Sequence, residues 1–357
     1  MASGARGTAK SLNGPARVTI ARVAQRARVS KMTVSRVINQ RPGVAPRLRA
    51  RVQRVIDQLG YVPSARARSL AIGHGNVIGL LLPDVVSEWT TPLLLGVGEA
   101  AEALGYQMLV RTTGRGQTYT ADAPDLLTGS DLAEGVIVSS WRVPLELAQK
   151  VMRRHGAIVI IDGFARAKDV PWVSAADRAG ARAAARYLVG LGHRRIAFIG
   201  GGRQPYLARE RLAGFREGLA EAGLRPEPGL TVQGNFQRES GYTCARRLLR
   251  LPEPPTAILA ANDPMAVGVL QAAHELGLRL PEALSVVGFD DTLAIGTYPA
   301  LTTVTRDYKE MGRAAMRLLA DQLRGDAQGP RGAAVQIDVP TALVVRQSTA
   351  PPPAERR

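Results

Sequence analysis

The chain has 357 residues, 45% of them hydrophobic, and carries 47 Lys and Arg against 30 Asp and Glu, a formal net charge of +17. That length buries a large core and suits two or three domains. The single cysteine, Cys244, excludes an internal disulfide framework. No apolar run reaches the length of a membrane span or forms a secretory signal, so a cytoplasmic protein without a membrane partner is expected. Residues 1–16 and 350–357 are read as disordered tails.

The charge is segregated. Fifteen of the first 73 residues are Lys or Arg and only Asp57 is acidic, whereas the other 284 residues carry 32 basic and 29 acidic side chains. Positive charge gathered on a small N-terminal piece marks a surface built to meet a polyanion, with DNA or RNA as the default partner. Thr19 can cap a short helix, Ile20–Ala27, with Ile20, Val23, Ala24 and Ala27 at helical spacing. After a break at Arg28-Val29, Ser30 caps a second helix from Lys31 to about Asn39. A third, about Pro46–Leu59, supplies Leu48, Val52, Val55, Ile56 and Leu59 to a small core and stops at Gly60.

Two short helices joined by a tight turn form a helix-turn-helix unit. The second helix suits the major groove. Its first turn displays Lys31, Met32 and Thr33, with Ser35 and Arg36 on the polar side. Lys31 or Arg36 can donate to guanine, and Met32 can pack on a thymine methyl. Thr19, Ser30, Thr33 and Asn39 are candidates for phosphate contacts, which fix register rather than sequence. A basic three-helix bundle that binds a protein is the alternative.

The run VTIARVAQRARVSKMTVSRVINQRPGVAPRLRARVQRVIDQLGYVPSARARSLA (18–71) resembles the DNA-binding head of the LacI/GalR family of bacterial regulators. The blocks VSKMTVSRVIN and LGYVPSARARSLA carry that resemblance. Arg28 stands where the family has a turn glycine, and a left-handed Arg there costs on the order of 1 kcal/mol. Arg22 stands where a capping-box acid is common. The resemblance implies that residues 64–71 form a hinge helix that enters the minor groove of a dimer-bound operator. Leu70 would be the wedge and Ala67 would line the groove floor. Such a short helix is not stable alone in water. The head is expected over 17–63 and the hinge and linker over 64–74.

From Val77 onward, apolar runs alternate with amphipathic helical ones. VIGLLLP (77–83) precedes a helix around Pro92–Leu104. YQMLVRT (106–112), GVIVSS (135–140), a helix around Leu145–Arg154 and AIVIID (157–162) complete a first half. A helix near Arg178–Leu191 then leads to RIAFIGG (195–201), a helix near Arg209–Ala222 and LTVQGNF (230–236). Next come a helix near Glu239–Leu251, TAILAAND (256–263), a helix near Pro264–Leu276 and LSVVGFDD (284–291). Buried strands, each followed by a helix, mean doubly wound parallel sheets, here in two lobes with a cleft between them.

The body is similar to the same family through LVGLGHRRIAFIGG (188–201), ARERLAGFREGL (208–219), PTAILAANDPMAVGVLQAAHELGLRLPEALSVVGFDD (255–291) and YPALTTVTRDYKEMG (298–312). The implied fold is an all-α helix-turn-helix head plus a periplasmic-binding-protein-like two-lobed α/β core over 75–349. The chain would cross between lobes three times, with an N-lobe of about 75–163 and 305–330 and a C-lobe of about 164–304 and 331–349. The resemblance places Asp162, Arg211, Asn262 and Asp290 at effector-contacting positions and Trp89, Phe236 and Tyr308 at cleft-facing ones. Trp141 is a further candidate. Carboxylates with Arg and Asn suit a polyol, whose hydroxyls both donate and accept, and aromatic rings stack on sugar faces. Ordinary core packing is the alternative for each ring. A sugar effector is the first expectation and a nucleobase its rival.

His74, His155, His193 and His274 are scattered, and no metalloprotease, paired-Cys, P-loop or Gly-x-Ser-x-Gly motif is present. Gly200-Gly201-Gly202 lacks full dinucleotide spacing. Neither catalysis nor a cofactor nor a metal is expected. The implied protein is a homodimeric repressor of a near-palindromic operator, its DNA affinity set by a small molecule. QSTAPPPAERR after Arg346 holds no leucine heptad, so a dimer rather than a tetramer is expected.

Overall fold

The computed structural model describes residues 19–38, 41–61, 76–112, 133–139, 146, 148–149, 152–153, 157–162, 170–202, 205–325 and 334–354. It divides into two compact units, 1–75 and 76–357. The first holds helices α1 (Ile20–Ala27), α2 (Lys31–Ile38) and α3 (Pro46–Leu59). Their apolar stripes meet in one small core of Val23, Ala24, Ala27, Val34, Val37, Val52, Val55 and Ile56, which Tyr61 closes. Ser30 caps α2 by accepting the Thr33 amide at 3.1 Å. Arg28 is left-handed, φ 50° and ψ 52°, and its amide closes the end of α1. Thr19 accepts the Arg22 amide only at 3.4 Å, a weak cap with no returning acid.

In the second unit, β1 (Val77–Leu82), β2 (Gln107–Thr112), β3 (Gly135–Val138), β4 (Ile158–Ile161), β5 (Trp172–Ala175) and β11 (Gln336–Val339) form a parallel sheet in the order β11-β5-β4-β3-β1-β2. β6 (Ile196–Gly200), β7 (Thr231–Gln233), β8 (Ala257–Ala260), β9 (Ser285–Asp290), β10 (Thr302–Arg306) and β12 (Thr341–Val344) form the other, in the order β12-β10-β9-β8-β6-β7. Only β12 runs antiparallel, against β10. Central strands such as β3, β4 and β8 are buried throughout, as parallel sheets covered on both faces require.

The covering helices are α4 (Thr90–Ala103), α5 (Asp177–Gly190), α6 (Pro205–Ala220), α7 (Arg238–Leu249), α8 (Asp263–Glu275) and α9 (Tyr308–Arg324). α4 and α9 cover the first sheet, and a Cβ on Gly96 would lie 1.9 Å from the Lys309 carbonyl oxygen, so their backbones touch where no side chain fits. In the second lobe Phe198 and Phe215 stack with centroids 5.0 Å apart in a fully buried core.

The chain changes sheets at Ala176, Asp307 and Pro340, which moves the expected lobe boundaries. β5 and β11, assigned from sequence to the C-lobe, belong to the first sheet. The Trp172 amide bonds Val335 O and the Ala176 amide bonds Val339 O. β5 escaped the sequence reading because Pro171 and Ser174 interrupt its apolar run. β7 also ends earlier than expected, at Gln233, where Asn235 accepts the Gln237 amide and turns the chain. The tail expected to be disordered from 350 is anchored at its start. Ala350 exchanges hydrogen bonds with Ser285, its carbonyl meets His193, and Pro352 is buried.

Arg28→Gly is expected to stabilise the head by about 0.5–1 kcal/mol, since glycine removes the left-handed penalty but adds unfolded-state freedom. A thermal melt of residues 1–75 followed by circular dichroism checks this, and an unchanged or lower midpoint contradicts it.

Candidate functional site

The exposed face of α2 is cationic and polar. Lys31, Arg36 and Met32 are exposed, Met32 by 67%, while Val34 and Val37 point inward. Thr33 and Ser35 are half-buried beside them, and Thr19 and Ser30 lie at the surface near the helix starts. The Ser30 and Thr33 hydroxyls also bond each other at 2.9 Å, which orients the first turn of α2. A helix N-terminus there favours an anion. Asn39, Ala67, Leu70 and Trp141 lie outside the described residues.

The second unit holds a cleft of about 730 Å³ at the carboxyl ends of its strands. Trp89, Asp162, Arg211, Phe236, Asn262, Asp290 and Tyr308, chosen from sequence, all line it. Asp162 follows β4, Asp290 ends β9, and Asn262 follows β8, as the rule for open α/β sheets places a ligand.

A line of buried ion pairs organises the wall. Arg306 Nη2 donates to both Asp162 oxygens at 2.9 and 2.8 Å and to Asp177 Oδ2 at 3.2 Å. Arg211 Nε donates to Asp177 Oδ1 at 2.8 Å, Nη2 donates to Asp290 Oδ1 at 2.9 Å, and Nη1 donates to the Ala261 carbonyl. The line runs Asp162–Arg306–Asp177–Arg211–Asp290 and joins both lobes. Asp177 is the first residue of α5, where the helix dipole favours its charge. Burial pushes the Asp162 and Asp290 carboxyls above the usual range, against the opposing pull of the guanidinium groups.

Aromatic rings flank this line. Trp89 and Tyr308 lie 5.9 Å apart, tilted by 35°. The Tyr308 hydroxyl accepts from Arg306 Nη1 at 2.8 Å, and Arg306 lies over its ring. Phe236 faces Arg211 at 5.9 Å and packs so closely on Gly201 that a Cβ there would meet the ring at 1.9 Å. Asn262 caps α8 by accepting the Met265 amide and donates Nδ2 to the Phe236 carbonyl at 2.9 Å, so it also holds that ring in place.

The backbone is strained at the same places. Asp162, Phe236, Asp290 and Asp291 all have positive φ, of 49°, 67°, 103° and 58°. Non-glycine residues hold such angles only where surrounding contacts over-determine them, and such strain clusters at functional sites. Asp291 does not line the cleft and pairs with Arg346 at 2.8 Å.

Asp177 and Arg306 were missed from sequence, as were Asp84, Glu88 and Leu207 in the wall. A charged residue closing the buried run TTVTR was the available signal for Arg306. Nothing local marked Asp177. Among the described residues no cluster of His, Cys, Asp and Glu could hold a metal ion, and no helix is long and apolar enough to cross a membrane.

Comparison with known proteins accords with this architecture. Residues 19–64 match the bacterial regulatory proteins of the lacI family, and residues 185–349 match the periplasmic binding protein-like domain. The repressor PurR of Escherichia coli (strain SMS-3-5 / SECEC) is 34% identical over 343 residues, covering 94% of this chain and 98% of its own. Catabolite control protein A of Priestia megaterium is 31% identical, covering 93% and 99%. The chain belongs to the LacI family of bacterial regulators. Among solved structures of this LacI-family fold, the lac repressor dimer bound to operator and the anti-inducer ONPF has a TM-score of 0.80 at 28% identity, covering 93% of this chain and 99% of that one. The regulator CelR in complex with cellobiose has a TM-score of 0.69 at 32% identity, covering 93% and 100%.

Behind the wall, Asp263 accepts from Thr303 Oγ1 at 2.6 Å and from the amides of Thr292 and Leu293. Burial, then the charge of Asp290, pushes its carboxyl up to about 7. The folded state therefore keeps a proton that the unfolded chain has lost, and stability falls as pH rises from about 4 through 7. Asp263→Asn, nearly isosteric, should flatten this slope. Urea midpoints of the full chain at pH 5 and pH 8 check it, and equal pH dependence in both proteins would contradict the assignment.

Proposed function

We propose that the chain is a repressor that binds a near-palindromic operator as a homodimer and is switched by a small molecule, a sugar first, held in the cleft. The observation that carries this reading is the convergence of Asp162, Arg211, Asp290 and three aromatic rings on one cavity, in a chain that also bears a cationic helix-turn-helix. Lys31, Met32, Ser35 and Arg36 read bases in the major groove. Thr19, Ser30, Thr33 and Asn39 hold phosphates. Ala67 and Leu70 enter the minor groove at the centre of the site.

The lobes meet on their ion-pair line and on Tyr206 and Leu207, which start α6 and pack against Leu81, Val136 and Trp172 of the first sheet. A ligand that prefers one arrangement of the lobes shifts the DNA-bound population, and a coupling of roughly 1–3 kcal/mol changes operator affinity about 5- to 150-fold. The cellobiose complex of CelR supports a sugar. A nucleobase is the second reading, since the rings of Trp89, Tyr308 and Phe236 offer stacking faces.

Fluorescence anisotropy with selected operator DNA tests the head. With roughly 6–10 phosphate contacts, affinity should fall about 10³–10⁵-fold between 50 and 200 mM salt, and a flat response sinks the assignment. Asp290→Ala should retain operator affinity within about threefold yet lose the response to effector, since it removes a carboxylate from the cleft wall and not from the head. Intact induction in that variant would move the effector site elsewhere.

A further inference from the structure

We propose that Arg28, in the turn between α1 and α2, is a phosphate-contacting residue that clamps the DNA backbone beside the start of α2. This rests on the reading of the head as the operator-binding surface and adds a contact to it.

The turn does not need an arginine. Backbone alone ends α1: the Arg28 amide bonds the carbonyls of Ala24 and Gln25, and the Val29 amide bonds Ala24 O at 3.0 Å. Closing a helix this way puts the residue into left-handed backbone, here φ 50° and ψ 52°, where glycine is at ease and a side chain is not. The side chain gives nothing back inside the head. It is exposed, and among the described residues its guanidinium has no hydrogen-bond or ion-pair partner. Asp57, the only acidic residue of the first 75, accepts from Gln53. The charged neighbours of Arg28 are of its own sign. Arg22 and Arg26, one helical turn apart on α1, and Lys31 are all exposed. Arg22 also sits in the first turn of α1, where the helix dipole disfavours a cation and no acid offsets it. Backbone strain and like charge are both tolerated around one turn, so the partner that compensates for them lies outside the protein and is an anion.

Position names that anion. Arg28 lies two residues before Ser30, so their Cα atoms are at most about 7 Å apart. Ser30 caps α2, the helix suited to the major groove. A guanidinium on the three-carbon stem of Arg28 reaches the phosphate beside that cap and holds it with two parallel donors. Such a contact carries no sequence information; it fixes how α2 is presented to the groove.

The test uses the full chain in fluorescence anisotropy, with selected operator DNA and a random duplex of the same length, across a salt series. Arg28→Gly should weaken binding to both duplexes by at least about threefold and lower the slope of log affinity against log salt by about 0.9, the share of one phosphate. Arg28→Gln, uncharged but with a side chain in the same backbone, should lose the same slope. Arg28→Lys keeps the charge and should recover the slope but not the whole affinity, since an ammonium replaces a two-pronged donor. A circular dichroism melt of each variant separates lost binding from lost folding, and Arg28→Gly relieves backbone strain rather than adding it. An unchanged slope in Arg28→Gly overturns the proposal while leaving the head's role intact. So does a loss confined to the operator, which marks a base contact or a displaced α2. If the unaltered protein itself shows no salt response and no preference for operator over random duplex, the reading of the head falls and the inference with it.

Discussion

Asp162, Arg306, Asp177, Arg211 and Asp290 form a line of charges that alternate in sign, nearly all out of contact with water. No member could be buried alone, because an unpaired charge in such a place is far more costly than the pair. The arrangement holds only when the ends of β4, β9 and β10, the start of α5 and the first turns of α6 all come together. It therefore fixes the lobes relative to each other at the two crossovers beside Ala176 and Asp307. Asp177 sits at its centre, bound to both arginines, and the dipole of α5 supports it.

The cleft is built on conformations that its residues would not choose by themselves. Positive φ at Asp162 and Asp290, beside strand ends, and at Phe236, in the turn after β7, goes with side chains that line the cavity. Two six-stranded sheets with well-packed cores stabilise the lobes enough to hold that strain. The Phe236 ring shows how closely matched the parts are. It needs the bare Cα of Gly201 beneath it and the amide of Asn262 on its carbonyl. Groups held this rigidly have one shape to offer a ligand, which favours selectivity over adaptability.

The head follows a different design. Its small core leaves nearly all its basic side chains on the surface, and Arg28 keeps a charge at a position where glycine would be easier. Local stability is given up for electrostatic reach toward a polyanion. The core shows the reverse allocation, with Arg211 and Arg306 buried and turned to carboxylates. The same residue type thus serves the duplex in one unit and internal order in the other, and only its surroundings distinguish the two uses.

The helix-turn-helix and the alternating strands and helices of the body were readable from the chain, because periodicity and short motifs are local properties, whereas the seven cleft residues came from the resemblance to the family. The third helix of the head and the capping role of Ser30 followed from the same kind of reasoning. β5, β11 and the true sites of lobe crossing did not, since a strand such as WVSA becomes a strand through the partners on either side of it. Asp177 was invisible, and the faint signal at Arg306 was overlooked, for a related reason. A charged side chain reads as solvent-facing until the fold surrounds it, and its partners lie 129 residues apart along the chain. Residue order decided which elements form and which chemistry is available; the closing of two sheets around one cleft decided which charges cancel, because ion pairing depends on distance in space and not on separation in sequence.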